Sequence, residues 1–235
     1  NDSWQVLAGV HRGFSPLGGG AKENEEPETS INYEAGVRFN RAEWFLEALG
    51  FYSDFDNKTE NCSLGNPCSN GATSGSFTTG QAVVSGLEFQ ANTAFDVGNF
   101  LIPLHIAYTY TQAELTKDNP AEGFQDGDTL ADIPENTISL RVGLENPNGW
   151  SNYAVAKYID EMCVSVGCNR TGDHFGETES LFVVDFISRY TLNSQAAIFL
   201  KVDNLLDERS IVSRVPDGAR PNKPRTAPVG VEYTF

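Results

Sequence analysis

At 235 residues, with 16 lysines and arginines against 32 aspartates and glutamates, the chain has a formal net charge of −16. That balance repels phosphate and argues against nucleic-acid binding or docking on an anionic membrane through a basic patch. Apolar residues make up 40% of the chain, too many for a disordered acidic tail, while a mean hydropathy of −0.33 and the lack of any run near the roughly 18 apolar residues of a spanning helix exclude helical membrane spans. A transmembrane barrel stays open, because its apolar face is hidden in alternation.

Taken in chain order, the apolar residues keep a period of two. Ile31, Tyr33, Ala35, Val37 and Phe39 interleave with Asn32, Glu34, Gly36, Arg38 and Asn40, as in a strand whose successive side chains point to opposite faces. The pattern returns at Val83–Asn92, Leu104–Thr111, Ile138–Glu145, Phe182–Tyr190 and Val229–Phe235. The spacing predicts ten strands, near 2–13, 31–41, 43–56, 79–95, 98–115, 135–146, 150–163, 177–191, 195–204 and 225–235. Those near 43–56 and 150–163 alternate less cleanly, so their facing stays open.

The connections at 41–43, 95–98, 146–150 and 191–195 are short, and those at 14–30, 57–78, 116–134, 164–176 and 205–224 are long and rich in turn formers. Long and short alternate without exception, which in a meander places every long loop at one end. That is the pattern of an outer-membrane barrel. A Greek-key sandwich is the soluble alternative, but its links would not alternate so regularly. Glu34, Arg38, Glu88, Arg141, Glu145, Asp185, Arg189 and Glu232 sit in mid-strand on the polar face, where a dry sandwich core would leave them unpaired and a lumen would not. Trp4, Tyr33, Trp44, Tyr52, Trp150, Tyr190 and Tyr233 near strand ends suit interfacial girdles. The fold expected is all-β, an antiparallel up-and-down transmembrane barrel segment.

Four cysteines fall as two close pairs, Cys62/Cys68 and Cys163/Cys168. Two loop-local disulfides in an oxidising compartment are the favoured reading. The alternative, a four-cysteine zinc site, needs loops about a hundred residues apart to meet. Asp126-Gly127-Asp128 resembles a fragment of a calcium loop but lacks the further oxygen ligands, so a solvated turn is expected. His11, His105 and His174 show no metal spacing, and no nucleophile elbow, phosphate loop or dinucleotide fingerprint is present. No catalytic set, cofactor or resident metal is expected.

The C-terminal third resembles a TonB-dependent outer-membrane receptor. Lys201-Val202-Asp203-Asn204-Leu205-Leu206-Asp207-Glu208-Arg209 is similar to that family's penultimate-strand motif, and Arg220-Pro221-Asn222-Lys223-Pro224-Arg225-Thr226 to its entry into the last strand. The terminal Val229-Gly230-Val231-Glu232-Tyr233-Thr234-Phe235 resembles the assembly signal of outer-membrane barrels, with Tyr233 and Phe235 as its aromatic residues. Glu28–Arg38, Ser85–Phe89 and Ile133–Asn136 also fit, and Val10–Pro16 resembles receptors of the ferric-citrate type.

The resemblance implies a barrel of about 22 strands closed around a plug. Residues 1–235 then read as the C-terminal portion of that barrel, with the plug, the segment that engages TonB, a signal peptide and the first strands outside this sequence. In the outer membrane of a Gram-negative bacterium, the parent protein would import a ferric chelate, siderophore or citrate complex, with lipid, the plug and TonB as partners. Arg12, Arg214, Arg220 and Arg225 are the candidate contacts to an anionic chelate. Two alternatives stand beside this reading: a ten-stranded barrel hydrolase using His11 and His174 with loop carboxylates, and a soluble β-rich adhesin-like module.

Overall fold

Long alternating segments satisfy their backbone polar groups only by pairing with one another, and short turns between them dictate antiparallel neighbours. The computed structural model describes residues 3–16, 26–64, 67–68, 71–171, 176–215 and 218–234. Its first five strands are β1 (Trp4–Ser15), β2 (Glu28–Arg41), β3 (Trp44–Cys62), β4 (Gly75–Val97) and β5 (Phe100–Leu115). Strands β6 (Asn136–Glu145) and β7 (Trp150–Ile159) follow, then a single helical turn, α1 (Cys168–Thr171). The chain ends with β8 (Leu181–Thr191), β9 (Ala196–Val202), a small pair formed by β10 (Ile211–Ser213) and β11 (Arg220–Pro221), and β12 (Val229–Tyr233).

Ten strands form one sheet in the order β1 to β9 and then β12, so β1 and β12 are its edges. Each neighbouring pair is antiparallel. The expected ten strands are therefore present, with shifted ends. β3 and β4 run on together past a register shift between Phe55 and Thr59, well into what reads as loop. β7, β8, β9 and β12 are shorter than expected, and the β10–β11 pair and α1 were not foreseen.

Register decides the faces. Val6, Val37, Ala48, Phe89, Tyr108, Ile138, Tyr158 and Phe182 stand in one lateral row. The adjacent row is Gln5, Arg38, Glu47, Gln90, Ala107, Ser139, Lys157 and Val183. One face is thus apolar and the other polar across eight strands. Val6, Val10, Val37, Phe89, Val142, Phe182 and Val231 on the apolar face are all exposed, which in water would be a costly surface. The polar face is paired in part: Arg38 bonds Glu47, Gln90 reaches Glu47 at 3.5 Å, and Arg189 meets Glu232 at 3.1 Å. On the apolar face, Ser188 donates to Asn152 at 2.7 Å, so two polar side chains satisfy one another there.

The imperfect alternation of β3 and β7 has a physical cause. Leu49, Phe51 and Tyr153 fall on the polar face, and each lies over a glycine of the neighbouring strand. A β-carbon on Gly86 would come within 2.7 Å of the Phe51 ring and 1.9 Å of the Tyr110 carbonyl oxygen; one on Gly143 would lie 2.6 Å from Tyr153. Leu49 covers Gly36 and Phe199 covers Gly230 in the same way. Large apolar groups facing the polar side are half-buried against bare backbone, a stabilising use of glycine in sheets.

Aromatic residues mark both ends of the strands. Trp4–Phe39, Trp44–Phe95 and Trp150–Tyr190 pair at the short-turn end, with ring centroids 4.9, 5.8 and 4.7 Å apart. Tyr33–Tyr52 pair toward the long loops at 6.4 Å. Gly98 (φ 63°) and Gly149 (φ 92°) turn the chain at two short connections. The buried apolar core sits at the long-loop end, where Phe77 and Ala82 of β4 and Ala113 and Leu115 of β5 cluster with Cys68, Phe124, Leu130 and Val166 of the connections.

Candidate functional site: the braced rim of long loops

That core shows why the long connections hold a shape. β3 and β4 extend beyond the sheet and carry Phe77, which stacks on Phe124 of the 116–135 segment with centroids 6.1 Å apart. Asn119 donates its side-chain amide to the carbonyls of Thr78 and Thr79, at 3.3 and 3.2 Å. Segment 116–135 is joined to 160–180 by Asp132 N–H to the Cys163 carbonyl at 2.8 Å, Gly167 N–H to the Thr129 carbonyl at 3.0 Å, and the Asn169 amide to the Gly127 carbonyl at 3.2 Å. Segment 160–180 is joined to the last loop through Glu179, whose N–H bonds the Ile211 carbonyl while its carboxylate accepts the Ile211 N–H. Four consecutive outer segments are braced in series.

Both cysteine pairs are disulfides, Cys62–Cys68 with Cα atoms 4.9 Å apart and Cys163–Cys168 at 5.5 Å. The four sulfurs are therefore not available to a shared zinc site. The second ring encloses the approach to α1 and sets Arg170 two residues beyond Cys168. The Arg170 guanidinium grips Asp128 through Nε and, at 2.9 Å, through Nη2, and the Gln125 N–H donates to the same carboxylate at 2.8 Å. Asp128 is 0% exposed. Asp126 and Gly127 form the exposed turn expected, and Asp128 departs from it: folding of 160–171 over the segment buries Asp128, and a buried carboxylate requires charged and backbone donors. Nothing local in the sequence links positions 128 and 170.

The last loop is knotted around Asn204, which is buried and adopts φ 52°. Its side chain donates to the Glu208 and Lys223 carbonyls at 2.9 Å each and accepts from the Glu208 N–H at 2.9 Å. The neighbouring Asp203 accepts from Lys201 at 2.6 Å, Lys223 at 2.5 Å and the Thr226 hydroxyl at 3.2 Å. The Asn-Leu-Leu-Asp motif at 204–207 therefore ties strand β9 to the segment entering β12.

The four candidate arginines are not brought together. Arg12 pairs in register with Ile31 of β2 and shares the apolar face's parity with Val6 and Val10. Arg214 donates to the Glu177 carbonyl at 2.5 Å. Arg225 lies against the Leu205 carbonyl at 3.3 Å and Asp207 at 3.8 Å. Arg220 is exposed on β11 and has an interaction of its own within the chain. Tyr233 stands on β12 opposite Ala196; Phe235 and His174 lie outside the described residues. His11 sits opposite Asn32, which donates to its carbonyl at 3.5 Å.

Residues 58–60, 67–68, 130–133, Val164 and Val166, with Thr79, line a half-open cavity of about 300 Å³. Asp132 lines it, with its backbone in the left-handed region (φ 60°). Asp132 is exposed at its mouth, and the partial desolvation it meets there raises its carboxyl from the ordinary carboxylate value.

Comparison with known proteins places this geometry. The model of the TonB-dependent receptor-like β-barrel family matches residues 1–205. The metal-pseudopaline receptor of Pseudomonas aeruginosa PAO1 is 29% identical over 210 residues, which is 87% of this chain and 27% of that protein. Among solved structures, the ferric yersiniabactin uptake receptor of Yersinia pestis aligns with a TM-score of 0.78 at 21% identity, over all of this chain and 35% of that one. The ferripyoverdine receptor of the Pseudomonas aeruginosa outer membrane aligns with a TM-score of 0.75 at 18% identity, over all of this chain and 31% of the other. The chain thus spans about a quarter to a third of these proteins.

Proposed function

The chain belongs to the TonB-dependent receptor β-barrel family of the Gram-negative outer membrane, and on that premise we propose that it is the C-terminal part of the barrel wall of a longer receptor that takes up a chelated metal. The apolar face then meets lipid and the polar face the lumen, which gives the exposed valines and phenylalanines and the paired mid-strand charges each their own medium. Further strands of the receptor would pair with the β1 and β12 edges, which otherwise present unpaired backbone groups. A plug within the lumen, acted on by TonB, would gate the passage.

The observation that carries the reading is the family match over 1–205 together with likeness to a receptor for metal-pseudopaline. It favours a metal–chelator complex as cargo. A ferric siderophore or ferric citrate is the narrower version, in which Arg12 and Arg220 would contact the anion. Position separates these two: Arg220 is exposed on the rim, whereas Arg12 follows the lipid-facing parity.

The test is metal-limited growth of a receptor-deletion strain carrying the full-length protein, with and without functional TonB. Growth restored only with TonB supports the proposal, and growth indifferent to the receptor overturns it. Unchanged ferric-chelate affinity in both Arg12→Ala and Arg220→Ala receptors would remove those arginines from the site.

A further inference from the structure

Glycine weakens a strand interior and is kept there where another group comes close to the backbone. In the regular part of the sheet that group is a large side chain directly opposite. Leu49 stands opposite Gly36, Phe51 opposite Gly86, Tyr153 opposite Gly143 and Phe199 opposite Gly230 on the polar face, and Leu87 opposite Gly50 on the apolar one. A β-carbon on the first three would lie 2.9, 2.7 and 2.6 Å from the covering side chain, and one on Gly230 closer still. At Gly13 the Ser30 hydroxyl fills that space. Gly80 is open, but it lies at the register shift of β3 and β4 with φ 134°, where the backbone itself calls for glycine. Gly9 breaks the pattern. It sits on the polar face opposite Glu34, and among the described residues a β-carbon there would meet only the Glu34 carboxylate tip, at 4.0 Å. Its other flank is the free edge of the sheet.

We infer that the free edge of β1 receives one further strand of the receptor, and that this strand sets a large apolar side chain on the lumen face directly over Gly9. The edge has the backbone for it. The Asn40 N–H bonds the Ser3 carbonyl, so odd-numbered residues of β1 turn their peptide groups to β2 and even-numbered ones turn theirs to the open side. A residue arriving opposite Gly9 therefore forms the non-hydrogen-bonded kind of pair, in which Cα atoms approach to about 4.5 Å and side chains meet most closely. The sheet cannot supply this cover by closing on itself. β12 shares the parity of Val229 and Val231 with Leu200 and Ile198 on the apolar face, which leaves Gly230 and Glu232 for the polar face. It also runs for five residues against the twelve of β1. The existence of a further strand rests on the reading of this chain as part of a longer barrel wall; its register and the side chain over Gly9 are additional to that reading.

The test uses the full-length receptor in outer membranes, with Gly9→Cys combined in turn with single cysteines along the next strand upstream and with Glu232→Cys on β12. Oxidation should link Gly9→Cys to one upstream position, since such a pair meets the spacing of a disulfide. The residue native to that position should be leucine, isoleucine, methionine, phenylalanine, tyrosine or tryptophan. Separately, Gly9→Phe should lose the heat-modifiable folded band, because two large groups then contend for one space. Replacing the upstream residue by glycine should restore that band. His11→Phe, on the same face of β1, should fold normally and controls for bulk alone. A small or polar residue at the linked position, a link to β12, or no link at all would each overturn the proposal. So would a Gly9→Phe receptor that folds as well as His11→Phe, or one that the upstream glycine does not restore. If the linked residue is small in a receptor whose growth support still needs TonB, the cover falls and the uptake reading stands. If the cover is found in a receptor that restores no metal-limited growth, the uptake reading falls and the strand pairing stands.

Discussion

Replacing Arg170 by alanine isolates the contribution of the brace between the 116–135 and 160–180 segments. Asp128 has no water contact and holds three donated hydrogen bonds, two from the guanidinium and one from Gln125. Arg170→Ala leaves a fully buried carboxylate with the backbone donor alone. Breaking a buried ion pair from one side costs about 3–5 kcal/mol; the lower end applies, because the arginine side chain is 37% exposed and its removal admits water. About 3 kcal/mol corresponds to a roughly hundredfold shift in the local opening equilibrium. Native-state hydrogen exchange on the full-length receptor reads it at the amides of Gly127, Leu130 and Gly167, which bond the carbonyls of Leu115, Ala113 and Thr129. These should exchange about a hundredfold faster, while amides of the β6–β7 ladder keep their protection. Adding Asp128→Asn removes the stranded charge, so the double variant should be better protected than Arg170→Ala alone. Unchanged exchange in Arg170→Ala, or a double variant that exchanges faster still, would refute the argument that the ion pair holds the rim.

The face assignment is tested by arginine placed at adjacent positions of β6. Leu140→Arg, on the lipid side, should cost about 2–4 kcal/mol near the bilayer midplane and lower the yield of folded receptor, whereas Ser139→Arg, in the row of Lys157, should be tolerated; chemical unfolding in lipid vesicles reads both. Gly86→Ala should impair folding by about 3 kcal/mol or more, because its β-carbon meets the Tyr110 carbonyl as well as the Phe51 ring; normal heat-modifiable mobility and unfolding midpoint would count against the packing argument. Asn204→Ala removes three side-chain hydrogen bonds from a buried site and places alanine at φ 52°. It should cost about 3 kcal/mol locally, measured as faster exchange at Glu208, whose N–H bonds Asn204.

The fold was legible because a period of two is a purely local property, and alternating long and short connections follow from composition along the chain. Ile31–Phe39 and Ile138–Leu144 show their apolar face without any neighbour. β3 and β7 were harder to read, and the obstacle lies on other strands: Phe51 faces the polar side because Gly86 leaves room for it, and Tyr153 because Gly143 does. The Cys62–Cys68 and Cys163–Cys168 pairs needed only proximity in sequence. The rim was hardest. Charge alone singles out Arg12, Arg214, Arg220 and Arg225, whereas the residues that organise the rim are Asp128, Arg170 and Asn204, whose partners are distant or are backbone atoms.

By itself the sequence determined the number of strands in the main sheet, the end at which the long loops gather and the separation of an apolar from a polar face, because each is set by spacing along the chain. Only tertiary structure decided which carboxylates are buried, which cations are already engaged, and where a cavity forms. Those depend on register between strands and on loops meeting across some forty residues, as Asp128 and Arg170 do. There the desolvation of one group is set by the arrival of another, and no local pattern records it.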